Sequence, residues 1–308
     1  MFLSRNFICG ILIATAPLAA WQTPSGEGVP ISILVTVEGH KNSAPPEIGG
    51  QDAQVYQNGH RIKVTDWTPA KSARGGLQLW VLIDDGSDTV LGTQLADLEK
   101  FVEAQPSTTQ IGIGYLRNGS VEVTQNLTAN HDLAARAIRL PIGTAGISAS
   151  PYLALIELIE KKWPDPSRAR EVLLVTSGID PDYGPGPDDP YLLHAIDVAQ
   201  RAGVMLNAIY FGGAGHLGHS YWQITWGQNN LSRLAEETGG EFYWQGATNP
   251  VSFAPYLDEM TRRMQGQYML TFLAMPETKG GFQSIRLRTE VPQASLVGQH
   301  RVYVPKSK

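Results

Sequence analysis

The chain has 308 residues, 42% of them hydrophobic and 17% charged, with a formal net charge of −5. That composition excludes wholesale disorder and leaves enough apolar side chain for a sizeable core in one or more units. The acidic balance gives no recruitment by net charge to nucleic acid or to an anionic membrane surface, and removing the first 20 residues, whose one charged residue is Arg5, takes the charge to −6.

Arg5 precedes a segment of 14 residues, "FICGILIATAPLAA", that ends in small residues before the polar "WQTPSGEG". This is the layout of an export signal over residues 1–20, with cleavage near Ala20. The segment is shorter than the roughly 20 residues a spanning helix needs. No later stretch is long and apolar enough to span, so the mature chain is expected to be secreted or periplasmic. Leu18 at the −3 position is less usual than a small residue, which keeps an uncleaved anchor as the alternative. The single cysteine, Cys9, lies inside this segment, so the mature chain is expected to have no disulfide and no thiol chemistry.

Residues 21–76 read as a small β segment. "ISILVTVEG" alternates, "SAPPEIGG" is a loop, and "VYQNGHRIKV" places Asn58-Gly59 between two alternating runs, a hairpin signal. From residue 77 the rhythm changes to strand then helix. "LQLWVLI" is followed by "TQLADLEKFVEA", with Leu95, Leu98, Phe101 and Val102 at helical spacing. "QIGIGYLR" and "VEVTQNL" follow, joined by Asn118-Gly119. "DLAARAIRL" and "PYLALIELIEKKW" are the next helix candidates. "EVLLVTS" is a nearly continuous apolar run, as a parallel strand buried on both faces requires.

The helix "PYLLHAIDVAQRAG" ends at Gly203, "VMLNAIYF" re-enters a strand, and "NNLSRLAEETGGEFYW" repeats the pattern before a helix through "FAPYLDEMTRRM". Alternating β and α over residues 77–265 predicts an α/β fold, a doubly wound, mostly parallel sheet. Residues 266–308, with "QYMLTFLA", "FQSIRLRTEV" and "QHRVYVP", are strand-like again. They are expected to pair with the N-terminal β segment, since each piece alone leaves an exposed edge.

The loop after the first central strand, "LWVLIDDGSDTVLG", carries Asp85, Ser87 and Thr89 spaced two apart. In an extended loop these lean to one side, at the strand end where doubly wound folds place ligands. Oxygen-only donors suit a hard cation such as Mg²⁺. A dinucleotide is not suited, because G-x-G-x-x-G is missing and Asp84 and Asp85 would repel a pyrophosphate. Asp, Ser and Thr also cap helices and make turns, the plainer explanation of the same residues.

On these residues the chain resembles a von Willebrand factor A-type domain, whose D-x-S-x-S loop after the first strand forms part of a metal-ion-dependent adhesion site. Asp85, Ser87 and Thr89 match that loop with Thr in the final place. The register Asp84, Gly86, Asp88 is the competitor, lacking both hydroxyls. The resemblance implies a Rossmann-like fold over about residues 77–265. It also implies a further ligand from "GISASPYLAL", with Ser148, or less aptly Thr144, in place of the family's Thr. The family's second Asp, in a strand-end "TDG", is here Ser177 of "VTSGID".

Losing that carboxylate implies weak binding of Mg²⁺, Mn²⁺ or Ca²⁺ unless Asp84, Asp180 or a partner supplies the missing anion. More narrowly, the chain looks like the secreted A-domain proteins of Acidobacteria, whose short β segments flank the A domain on both sides.

Two further loops belong to the same edge. "GIDPDYGPGPDDPY" holds Asp180, Asp182, Asp188 and Asp189 and reads as a solvated loop in preference to a second cation site. "GGAGHLGHSYWQITWGQNN" carries His216, His219, Tyr221, Trp222 and Trp226. An aromatic-rich loop of that length points to partner binding through His216, His219, Tyr221 and Trp222, with packing onto the sheet the alternative for Trp222 and the preferred reading for Trp226.

The expected function is therefore a non-enzymatic module that captures a protein or peptide. A cation would bridge its top loops to a carboxylate on the partner. The alternatives are a metal-free assembly scaffold and a hydrolase using Ser177. The hydrolase lacks the G-x-S-x-G elbow, since Val175 stands at its first position.

Overall fold

A computed structural model describes residues 28–40, 45–142, 150–163, 167–183, 186–212, 220–246 and 248–306. Residues 1–27 lie outside them, and so does the expected export signal.

The centre is a six-stranded sheet. Its strands are β5 (Gln78–Asp84), β6 (Gln110–Arg117), β7 (Ser120–Thr128), β8 (Arg170–Thr176), β9 (Val204–Tyr210) and β10 (Phe242–Tyr243), in the order β10-β9-β8-β5-β6-β7. All neighbours are parallel except the β6–β7 hairpin, which turns through Asn118 and Gly119 at positive φ. The chain runs outward from β5 through β6 to β7, then returns to β8 and runs the other way. The reversal makes the C-terminal ends of β5 and β8 the topological switch point, where open α/β sheets place ligands.

β5 is buried along its whole length, which explains its unbroken apolar sequence. Leu79, Val81 and Ile83 face a core shared with α1 (Leu95–Glu103), α2 (His131–Ala135) and α6 (Ala254–Gln265). Trp80 and Leu82 face the opposite core, under α3 (Pro151–Glu157), α4 (Pro190–Ala202) and α5 (Tyr221–Thr238).

Below this unit lies a β-sandwich made from both ends of the described chain. β1 (Val29–Gly39) pairs with β11 (Gln267–Ala274) and β13 (Ala294–Gly298), and β11 pairs with β4 (Val64–Pro69). The facing sheet has the order β14-β12-β2-β3, with β14 (Arg301–Val304), β12 (Gly281–Thr289), β2 (Ala53–Gln57) and β3 (His60–Ile62). Ile33, Val35, Val55, Leu270, Phe272 and Ile285 fill the space between the sheets, while Leu34 on the other face of β1 joins the first α/β core. Asn58 and Gly59 turn β2 into β3 with positive φ at both positions.

Glu171, at the start of β8, ties the two parts together. Its Oε1 accepts from Asn207 Nδ2 on β9 at 2.7 Å and from Gln267 Nε2 on β11 at 2.9 Å.

Three local expectations differ from the structure. The stretch 132–140 is helical only over His131–Ala135, because Pro141 bars continuation and Arg139 is held in a non-helical position by the contacts described below. The expected loop over 212–230 is helix from Tyr221, started by a capping box in which Ser220 and Gln223 exchange hydrogen bonds. β13 carries no strong strand pattern of its own and forms by pairing with β1.

Candidate functional site

β5 ends in two adjacent carboxylates with different duties. Asp84 Oδ2 accepts from Thr176 Oγ1 at 2.8 Å and Oδ1 accepts from the Gly86 amide at 2.9 Å, so this side chain clamps β5 to the end of β8 and shapes the turn. Burial raises its pKa, against the two hydrogen bonds and helped by the neighbouring Asp85.

Asp85 is fully buried, at 0% exposure. Its Oδ1 accepts from Arg139 Nη1 at 2.7 Å and from the Ile142 amide at 2.9 Å. Its Oδ2 has no hydrogen-bond partner, and the nearest cationic group on that side is Arg117 Nη1 at 4.0 Å.

Arg139 is fixed from several directions. Its guanidinium lies 3.8 Å from the centroid of the buried Tyr115 ring. Nη1 also donates to Leu140 O, and the backbone of Arg139 both donates to and accepts from the Tyr115 hydroxyl. Glu122 lies 3.7 Å from Arg139 and 3.4 Å from Arg117. The first central strand therefore opens into a network of two arginines and two carboxylates.

The remaining residues of the expected set divide. Ser87 is buried, and its amide donates to Asp84 O. Thr89 is exposed and its hydroxyl donates to Asp88 Oδ1. Asp88 in turn accepts from the Val90 amide and caps the 3₁₀ turn Thr89–Gln94, so the capping explanation describes these two residues. Ser177, at the end of β8, has its Oγ 3.4 Å from the Ile179 amide.

Asp180 is buried in a different cluster. Its Oδ2 accepts from Ser150 Oγ, and its Oδ1 accepts from the amides of Asp182 and Tyr183. Among the described residues no hydrogen bond joins that cluster to Asp85. Asp189 caps α4 through Oδ1, with burial raising its pKa. Ser148, Thr144, His216 and His219 lie outside the described residues.

Tyr221 and Trp222 occupy the first turn of α5 and are 74% and 66% exposed. The helix that carries them is seated by two glycines. A Cβ on Gly227 would meet Ser177 O at 2.5 Å, and a Cβ on Gly178 would meet Gly227 O at the same distance. The exposed aromatic pair is thus fixed to the end of β8, within the same sheet edge as Asp85. Trp226, one turn further, is half-buried.

A tightly held divalent ion does not fit these donors. One oxygen of Asp85 is already bonded to a guanidinium and an amide, and the clamp employs both oxygens of Asp84. Ser177 brings no charge. Among the described residues no group of three or more His, Cys, Asp or Glu side chains is placed to hold a metal. Asp85 Oδ2 already has the Arg117 guanidinium 4.0 Å away, so a cation there would meet like-charge repulsion.

Arg139 and Arg117 were missed in the sequence. The available signal was a proline two residues after Arg139, ending the helical stretch, and a hairpin whose first strand ends at Arg117.

No family model matches the chain, and no curated protein does. Among solved structures, a von Willebrand factor type A protein from Catenulispora acidiphila is 12% identical with a TM-score of 0.45, covering 94% of this chain and 76% of that one. BatB from Bacteroides thetaiotaomicron is 11% identical with a TM-score of 0.46, covering 61% and 97%. Proximal thread matrix protein 1 from the mussel byssus, described with a zinc-occupied MIDAS motif, is 12% identical with a TM-score of 0.47, covering 69% and 50%. At these values the likenesses carry no argument about ligand or activity. No helix among the described residues is long and apolar enough to cross a membrane.

Proposed function

We propose that this chain is an exported, non-enzymatic binding module of the von Willebrand factor A type that captures a protein partner at the C-terminal edge of its central sheet without a metal ion. The observation that carries this reading is the ion pair between Asp85 and Arg139, with a guanidinium where the family resemblance would put a cation. The partly exposed Arg117 offers donors to a carboxylate on the partner, and Tyr221 and Trp222 offer it an apolar anchor. The export reading rests on the segment 7–20 alone.

A second reading keeps a weakly bound cation. Its support is that Asp85 Oδ2 is buried without a hydrogen-bond partner. A third, hydrolysis at Ser177, has no histidine bonded to that serine among the described residues in its favour.

Affinity capture from the native culture separates the first two readings. The metal-free module retains its partner in EDTA and loses it when Tyr221 and Trp222 are both changed to Ala. Release by EDTA, or retention by the double variant, overturns it.

A further inference from the structure

The outer face of the sandwich sheet β14-β12-β2-β3 carries a second concentration of cationic groups, away from the edge just described. Register sets Tyr56 on β2 directly between Arg286 on β12 and Arg61 on β3. Arg288 lies two residues along from Arg286 and so projects from the same face. Its guanidinium is 5.4 Å from the Tyr56 ring centroid. All three arginines are exposed, while Val55, Ile62 and Ile285 of the same strands point the other way into the sandwich core.

Among the described residues none of these three arginines is within ion-pair distance of a carboxylate, whereas Arg301 on the next strand reaches Asp197 at 3.3 Å. The acid nearest in sequence, Glu290, accepts from Gln54 Nε2 at 2.7 Å. Tyr56, Arg286 and Arg288 also line a cleft of about 590 Å³ with Asn58 and His300, and no Asp or Glu belongs to its lining. In a chain of net charge −5, three such groups without a carboxylate partner among the described residues form a surface complementary to an anion.

We propose that this face docks an extended acidic polypeptide segment with carboxylates at alternate positions. Alternate side chains of an extended chain project to one side about 6.8 Å apart, the spacing that β12 imposes on Arg286 and Arg288. Each guanidinium presents a planar fork that fits one carboxylate with two hydrogen bonds. Tyr56 lies across from Arg286 on the neighbouring strand, with Arg61 beyond it.

The test is fluorescence anisotropy with a labelled peptide of alternating Glu and Ala, compared with a peptide of the same composition whose glutamates are contiguous, and with a sulfated oligosaccharide. The alternating peptide is expected to bind saturably and best. Binding should weaken about tenfold or more in the double variant Arg286→Gln, Arg288→Gln and stay unchanged in Arg136→Gln, an exposed arginine elsewhere. Equal binding of the two peptides, preference for the oligosaccharide, or an unaffected double variant would each overturn the proposal. Both substituted side chains are exposed, so unchanged thermal unfolding of the double variant confirms that the fold is not what was lost.

Discussion

Arg139 places its guanidinium 2.7 Å from Oδ1 of Asp85, across 54 residues of sequence, and so neutralises a carboxylate that has no contact with solvent. A buried charge needs a counter-charge or an ion. Here the chain supplies its own counter-charge.

Removing that counter-charge should be expensive. Arg139→Ala is expected to destabilise the protein by about 2 to 4 kcal/mol, somewhat below the usual cost of orphaning a buried ion because Arg117 remains nearby. Replacing both partners, Asp85→Leu with Arg139→Met, should recover most of the loss. Urea unfolding of Asp85→Leu, Arg139→Met and the double variant gives the coupling directly.

Glu171 gives the chain a pH dependence. Burial raises its pKa to about 7 from 4.5, against the hydrogen bonds from Gln267 and Asn207 and the nearby charge of Arg263. A carboxyl whose pKa is higher in the folded than in the unfolded state adds its stability in full below about pH 4.5 and loses it as the pH rises to about 7. The span is on the order of 3 kcal/mol. Chemical unfolding between pH 4.5 and 7 should show this decline in the parent chain, and Glu171→Gln should flatten it.

Gly227 sits inside α5, where Ala would ordinarily gain about 1 kcal/mol. Its missing Cβ faces the backbone oxygen of Ser177 at 2.5 Å, and a backbone neighbour gives way poorly. Gly227→Ala is therefore expected to be net destabilising by about 1 to 3 kcal/mol. It should also displace Tyr221 and Trp222, visible as a change in tryptophan fluorescence.

The capping box before Tyr221 has a local effect. Ser220→Ala should cost about 1 kcal/mol. The cost should fall on the first turn of α5, where amide exchange would quicken while the amides of β5 and β8 keep their protection.

Much of this architecture was legible because its signals are local. The unbroken apolar run of β5 announced a strand buried on both faces, and two Asn-Gly pairs announced hairpins that the positive φ values of Asn58 and Asn118 fulfil. Gly203, at φ 66, ended α4 where its sequence said it would. The site was legible as a place more than as a mechanism. The mouth of β5 could be found from Asp85, but its counter-ion comes from a stretch that reads as helix, and such a long-range pair leaves no spacing to detect. Glu171 was hidden for a related reason, since a carboxylate at a strand's start looks solvent-exposed until β9 and β11 close over it.

The most direct test of the central claim is thermal unfolding of the full chain in EDTA and then in excess Mg²⁺ or Mn²⁺. With Arg139 serving in place of an ion, the midpoint stays the same in all three. A saturable rise would contradict the account, because an ion bound to the folded state alone at a hundred times its Kd adds about 2.7 kcal/mol.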